Sequence, residues 1–570
     1  MKFNKILLAA GIMASAMSFT ACTGDLDLTP TDQSFFTPDQ FAADPDYYLD
    51  ATIAGVYQQH VTYGANGNAA VENFDGGMST FQRAIFILQE MNSDEASWLP
   101  MNSDYGMLTY GIVPSSNTAV MGTYSRFYIN MGVCNQFIHN IRDGYFGTLT
   151  EAQQKKADEY IRQANILRLA NLYYVLDIFG NVPYVTEDIR MGNVAPQLST
   201  NFAEGRRMVY ERLAAELEDI VAWYKENDPN NKPAYGYVGL DVAESLLVKL
   251  YLNAEVYSGT AQWQKCWDHA EAIIARLGHG GFNNAGLCNA YLQNFAANNA
   301  QFCIDGNNNA INEIIWILPQ AIVNDVDGNG ITSYANGTFM LNAWIGNSTA
   351  DDTFTINNAE YNSKGGWKCM TARREFVEKF DWDANYAVSP DARVALWKTA
   401  KDGFNINNTT MGQAEWGHNG YLAIKYSNWA IDDNGAINEA ASPEATDQNG
   451  VDYAMIRLAE IYLSAAEAAY NGFGDKGKAL TYVNNLRERA GLAPYTSLNL
   501  TELQDERCRE LYTESTRRTD LIRYGKWLSG YNWAWKHNVR NGADFDPYFI
   551  VYPIPSTTAA RNGYTQNPGY

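Results

Sequence analysis

Two amphipathic stripes joined by a short glycine turn constrain this chain more than any other feature. From Asp241, the residues Ala243, Leu246, Leu247, Leu250, Ala254 and Tyr257 fall at i, i+3, i+4, i+7, i+11 and i+14. That spacing lays them along one continuous helix face. Asp241 with Glu244 reads as a capping-box start. After Ser258-Gly259, a second stripe runs through Trp263, Cys266, Trp267, Ala270, Ile274 and Leu277. Neither face is satisfied in water, so the two helices are expected to fold back on each other as an αα-hairpin.

The device recurs. Leu458, Ile461, Tyr462, Ala465 and Ala469 form one stripe, Gly472 and Gly474 break it, and Ala479, Tyr482, Val483 and Leu486 form the next. Glu159 to Phe179 is apolar nearly all round and should be deeply buried. Small residues on these faces, Ala164, Ala170, Ala465 and Ala469, permit close helix approach. Such pairs resemble tetratricopeptide units, which stack because neither helix can bury its face alone. The expected fold class is therefore mostly α: tetratricopeptide-like pairs forming a scaffold, with a loop-rich ligand-binding region and minor β. The scaffold spans about 46–278 and 451–570. Between them, 279–450 is rich in Asn, Gly, Asp and aromatics, and Glu313 to Leu318 is its best strand candidate. Long loops inside a helical protein are usually functional, and 60–125 is similarly loop-rich.

The N-terminus reads as a leader. Lys2 and Lys5 precede a short apolar run from Ile6 to Met17, too short to cross a bilayer. It closes on Phe19-Thr20-Ala21-Cys22, which resembles a bacterial lipobox. Residues 1–21 are then a signal peptide, Cys22 is the lipidated first mature residue, and 22–45 is a tether and docking segment. The early acids Asp25 and Asp27 resemble export signals of bacterial surface lipoproteins. One domain, 46–570, follows.

Charge and motifs exclude several classes. A net charge of −23 argues against nucleic acid, because a phosphate-binding surface needs concentrated Lys and Arg. The cysteines Cys134, Cys266, Cys288, Cys303, Cys369 and Cys508 form no C-x-x-C pair and are expected as buried thiols. Neither H-E-x-x-H nor G-x-S-x-G occurs. Gly472 to Lys478 fits G-x-x-x-x-G-K but continues with Ala479, so it reads as a helix–helix turn. Asp325-Val-Asp-Gly-Asn-Gly330 looks like the start of a calcium loop. Its twelfth position is Asn336, not Glu, so a polar turn is favoured over a calcium site. No cofactor and no resident metal are expected otherwise.

Several segments in order resemble the SusD/RagB family. They are Arg162-Gln-Ala-Asn-Ile-Leu-Arg168 through Asp177-Ile-Phe-Gly-Asn-Val-Pro183, then Arg457-Leu-Ala-Glu460 with Ala466-Glu-Ala468. Asn485 to Gly491, Glu506 to Glu514, Arg517 to Lys526, Tyr552-Pro-Ile-Pro555 and Gln566 to Tyr570 follow. Arg517, Arg518 and Arg523 among Glu506, Glu510, Glu514 and Asp520 are read as a structural ion-pair ladder, not a catalytic carboxylate cluster.

The resemblance implies a non-catalytic surface lipoprotein of the outer membrane. It would capture starch or another α-glucan and pass it to a SusC-like TonB-dependent transporter. Another glycan or a peptide is the alternative ligand, and a glycoside hydrolase on a helical scaffold is the alternative class. Asp75 and Arg83 keep the spacing of two polar contacts in starch-binding members. Trp98 matches the first of two tryptophans there, with Pro100 in place of the second, and Asn102 matches approximately. Ser333 to Gly337 resembles a loop presenting a binding Tyr, placing that role on Tyr334. Lys364-Gly-Gly-Trp-Lys368 resembles a loop presenting a binding Trp, hence Trp367. The chemistry suits the assignment, since flat stiff rings match the C–H faces of pyranoses and paired polar groups match their hydroxyls.

Overall fold

The computed structural model describes residues 38–61, 80–98, 104–304, 311–320, 336–346, 356–407, 420–445 and 450–570. Its first half is helical: α1 (Pro38–Ala43), α2 (Pro45–Val61), α3 (Phe81–Glu90), then β1 (Ala96–Trp98) and α4 (Asp104–Thr109). There follow α5 (Thr118–Arg142), α6 (Glu151–Phe179), α7 (Phe202–Asn227), α8 (Leu240–Leu252), α9 (Ala254–Ser258) and α10 (Trp263–Leu277). The middle holds β2 (Ile314–Leu318), α11 (Asn336–Asn342), β3 (Met370–Ala372) and α12 (Arg374–Val377). The end holds β4 (Tyr453–Arg457), α13 (Leu458–Tyr470), α14 (Lys476–Arg489), α15 (Leu500–Leu511), α16 (Arg517–Arg523) and α17 (Ser556–Asn562).

The long helices stack in the order α5, α6, α7, α8, α10, α13, α14, each packed on the next. Local chemistry starts them: Asn117 caps α5 by accepting from Ala119 N and Val120 N, and Thr150 with Gln153 forms a capping box on α6. The predicted hairpin faces are mostly buried, with Trp263, Ile274 and Tyr482 only partly so, and α8 is buried on every side. Two local expectations fail. The helix from Asp241 is not continuous, because Asn253 breaks it between α8 and α9. The Asn253 side chain donates to Lys249 O at 2.9 Å and accepts from Arg523 at 2.8 Å, so tertiary polar bonds override local periodicity. Asp241 and Glu244 make no capping box either, since Gly239 occupies the N-cap. Both carboxylates turn to Arg276 on α10. The run at Gly472 is a helix–helix turn, with Asp475 capping α14 through Gly477 N at 2.7 Å and Lys478 N at 3.1 Å.

The strand read at Glu313 to Leu318 is β2. It pairs antiparallel with β4, Ile314 opposite Arg457 and Leu318 opposite Tyr453. The loop-rich excursion between α10 and α13 is therefore closed by its own ladder. A second two-stranded ladder sets Ala96 opposite Ala372 and Trp98 opposite Met370. The six cysteines named above are buried free thiols, as expected. Among the described residues no helix is long and apolar enough to cross a membrane.

A buried ion network locks excursion to scaffold. Arg457, at the junction of β4 and α13, reaches Glu313 at 2.8 Å, Glu510 at 3.2 Å and Glu514 at 2.6 Å. Arg489 bridges Glu313 and Glu510 at 2.7 and 2.6 Å. Glu506 takes Arg393, Arg487 and Arg509 at 2.7, 2.9 and 2.6 Å, and Arg393 also holds Asp391 at 2.8 Å. The ladder expected within residues 506–523 is thus mostly long-range. Arg517 pairs with Asp94 at 2.6 Å and Arg518 donates to the carbonyl of Ile550. A pair of carboxyls sits beside it. Glu90 accepts from Thr516 N at 2.9 Å, and Glu95 accepts from Thr513 N at 3.1 Å. Burial drives Glu90 up to about 7 and Glu95 well above the usual carboxylate range.

Removing one partner of a buried pair leaves an uncompensated charge, so Glu313→Ala should cost about 3–5 kcal/mol in urea unfolding. A cost below about 1 kcal/mol would show that the network contributes little. Stability should also track pH. Burial raises Glu313, but Arg489 and Arg457 outweigh it and hold the carboxyl at about 2, against 4.5 unfolded. Its contribution is full above about 4.5 and is lost as pH falls through about 2. Glu90 has the opposite sign: its contribution is full below 4.5 and is lost as pH rises through about 7. Thermal melts from pH 2 to 8 should show both limbs, and Glu90→Gln should flatten the upper one.

Candidate functional site

The charged frame holds α3 and β1 in place. Gln89 donates to Asp177 at 2.7 Å, Asp94 is clamped by Arg517, and Ser93 closes a turn onto Glu90 O. Arg373, directly after β3, donates to the carbonyls of Ala96 at 3.1 Å and Thr109 at 3.0 Å and also reaches Ala534. Burial pushes its guanidinium down to about 10, so it stays charged at neutral pH. The β1–β3 ladder is thereby fastened from both sides.

Three of the residues singled out from sequence meet on this frame, around a ring that sequence reading missed. The guanidinium of Arg83, on α3, lies 4.4 Å from the centre of the Phe339 ring and 5.6 Å from that of Trp367. Trp98, on β1, stacks on Phe339 with centres 6.2 Å apart and planes 22° apart. Phe86 meets the same ring edge-on at 5.1 Å. Phe339 lies five residues after Tyr334, two residues past the Ser333–Gly337 run that marked the loop. No periodicity announced it, because it serves a short helix.

Exposure separates the members. Arg83 and Trp98 are 4% and 6% exposed, whereas Trp367 is only partly buried. Arg83 and Trp98 therefore brace the site in this conformation, and Trp367 is the ring with surface to offer. Its own loop is tightly built. Trp367 N donates to Asn342 O at 2.6 Å and Lys368 N to Ile345 O at 2.7 Å. The crossing requires glycine on both strands. A Cβ on Gly346, at φ +94°, would come 2.2 Å from Gly366 O, and one on Gly366 would come 2.2 Å from Ile345 O. The cation–π contacts and the pinned backbone hold Trp367 in one pose. The remaining expected positions, Asp75, Asn102, Tyr334 and Cys22, lie outside the described residues, as does the loop from Asp325 to Gly330.

The described geometry is that of an aromatic platform on a helical scaffold, and comparison with known proteins agrees with the fold. The sequence pattern of the SusD family matches residues 299–570. A SusD-like protein, P25 of Formosa agariphila, is 34% identical over 78% of this chain and 80% of its own length. The chain belongs to the SusD family. The starch-binding protein SusD of Bacteroides thetaiotaomicron is 27% identical over 100% of this chain and 99% of that protein. Among solved structures, surface glycan-binding protein A from Bacteroides fluxus superposes with a TM-score of 0.62 at 16% identity, covering 92% of this chain and 99% of that one. The same-named protein from Bacteroides thetaiotaomicron, in complex with laminarihexaose, gives 0.60 at 18%, with 92% and 99% covered. This SusD-family chain thus keeps the mostly helical architecture of its neighbours across nearly its whole length.

Phe339→Ala should open a cavity where Arg83, Trp98 and Phe86 converge, at a cost of about 3–5 kcal/mol in denaturant unfolding. A loss under about 1 kcal/mol would remove Phe339 from its central place.

Proposed function

We propose that this chain is a surface glycan-binding protein that captures starch or malto-oligosaccharides without cleaving them. It would hand them to a SusC-like TonB-dependent transporter while held at the outer membrane by lipid on Cys22. The observation that carries the reading is the pose of Trp367, a partly exposed ring on a glycine-crossed turn, backed by the buried Arg83 and Phe339. Such a ring meets a pyranose face at small entropic cost, because it is already ordered. Each stacked ring that removes roughly 50–100 Å² of apolar area contributes roughly 1–2.5 kcal/mol. Two such contacts, less ordering costs, give a dissociation constant on the order of millimolar. Weak capture suits a carrier that must release its cargo.

Starch is favoured because SusD of Bacteroides thetaiotaomicron, a relative along the full chain, is a starch-binding protein. A β-glucan is the second reading, favoured by the laminarihexaose held by a structural neighbour. Hydrolysis is disfavoured by the chemistry of the acids. Glu90 and Glu95, pushed up by burial, are 1% and 4% exposed and are spent on backbone amides. A general acid must reach the substrate.

Native affinity electrophoresis against amylopectin, pullulan, dextran and laminarin tests the proposal. Amylopectin should retard the chain, Trp367→Ala should weaken binding about tenfold, and Tyr334→Ala with Trp367→Ala should abolish it. Trp367→Ala should cost no more than about 1–2 kcal/mol in denaturant unfolding, since the ring is only partly buried. Retardation unchanged by the double variant, or reducing sugar released from amylose by the pure chain, would sink it.

A further inference from the structure

An open groove of about 1000 Å³ lies on a different part of the scaffold, between α2, α6, the end of α7 and the turn that leads into α8. Its lining comes from none of the elements that carry Arg83, Trp98 and Trp367. Three partly exposed rings face it: Tyr160 from α6, Trp223 from α7 and Tyr237 from the turn. At this volume it stands at the upper end of small-ligand sites.

The rings are held, not loose. Tyr160 donates its hydroxyl to Asp50 at 2.7 Å, and Asp50 is also paired with Lys156 at 2.7 Å. The Arg162 guanidinium lies 3.4 Å from the centre of the Trp223 ring, and its Nε donates to Glu159 at 3.1 Å. Glu159 in turn accepts from Tyr224 at 2.7 Å and Gln163 at 3.2 Å. Tyr237 packs 4.3 Å from the Tyr57 ring, whose hydroxyl donates to Gln163 at 3.0 Å and accepts from Val238 N at 2.9 Å. That last bond ties the turn carrying Tyr237 to the scaffold. Ordering the walls before a ligand arrives removes part of the entropic cost of binding.

The charge pattern selects the ligand class. The lining carries four acidic and four basic side chains, so it is balanced in a chain whose net charge is −23. Two of the acids are paired within the lining, as Lys156–Asp50 and Arg162–Glu159, and a balanced set of charges attracts neither an anion nor a cation by long-range field. They present donors and acceptors side by side, which suits hydroxyls, while the rings suit C–H faces.

We infer that this groove is a second carbohydrate site, which takes an uncharged glycan segment by ring stacking on Trp223, Tyr160 and Tyr237. It acts beside the Trp367 site and does not depend on it. A polymer reaching both sites would be retained by avidity, as linked binding events become intramolecular.

The test uses native gels of amylopectin and of laminarin with the full mature chain. Five variants are compared: Trp367→Ala, Trp223→Ala with Tyr237→Ala, the triple combination, Trp223→Phe, and Ala234→Arg. Ala234→Arg fills the groove from an exposed wall position without removing a ring. On at least one glycan, both groove variants should bind roughly tenfold more weakly, Trp367→Ala should keep residual retardation, and the triple variant should run as in an empty gel. Trp223→Phe should retain binding, since it keeps a ring. Wild-type retardation by both groove variants on both glycans overturns the inference, and so does an intact chain that neither gel retards. Failure of the Trp367 reading is seen separately, as retardation that Trp367→Ala leaves unchanged while the groove variants lower it.

Discussion

The bidentate grip of Arg457 on Glu514, shared with Glu313 and Glu510, is the interaction on which the rest of the fold depends. It sits where the last strand of the excursion becomes the first residue of a scaffold helix. Charges this deep stabilise only when every partner is present and well placed. Arg489, Arg393, Arg487 and Arg509 complete the set, so helices and loops from distant parts of the chain must assemble together. The aromatic Lys425 site reinforces the same corner. Its ammonium donates to Tyr512 O at 2.6 Å and to Glu514 at 2.7 Å, over the rings of Phe295 and Tyr512.

From this corner, rigidity passes to the platform. Thr513, Thr516 and Arg517 leave the end of α15 and engage Glu95, Glu90 and Asp94. Thr513 and Ser515 accept left-handed backbone there, at φ 60° and 64°, to point their neighbours at those acids. Helix α3 and strand β1 are thus attached by their ends to charged partners, and Arg83 and Trp98 inherit fixed positions. Trp367 is held through Arg83, although it belongs to a turn with little secondary structure of its own.

The helical frame was legible because burial on one face of a helix leaves a period in the sequence. Ala243 to Tyr257 and Leu458 to Ala469 announced themselves in that way, and β2 did so by a short β-branched and aromatic run. Polar residues were less readable, because their partners are chosen in three dimensions. Asp241 and Glu244 looked like a local cap and proved to be interhelix partners of Arg276. Arg517 looked like a neighbour of its own helix and pairs with Asp94, 423 residues away. The candidate site was found by resemblance, through Arg83, Trp98 and Trp367. Their division into bracing and displayed rings needed coordinates, since burial of a lone Trp has no sequence signature. Phe339 had no signal of its own beyond its place just past the Ser333–Gly337 run.

Because β2 and β4 lie side by side, the excursion between α10 and α13 leaves the helical stack and returns to it at nearly one point. Loop closure grows only logarithmically with length, so inserting or trimming residues there costs little once the two ends are joined. Change is restricted where the excursion touches the frame: at the ion partners Glu313, Asp391, Arg393 and Lys425, at β3 and Arg373, and at Phe339 and the Gly346–Gly366 crossing. Between those fixed posts the polypeptide resembles an exchangeable cartridge, whose length and composition can be rewritten while the helical chassis stays as it is.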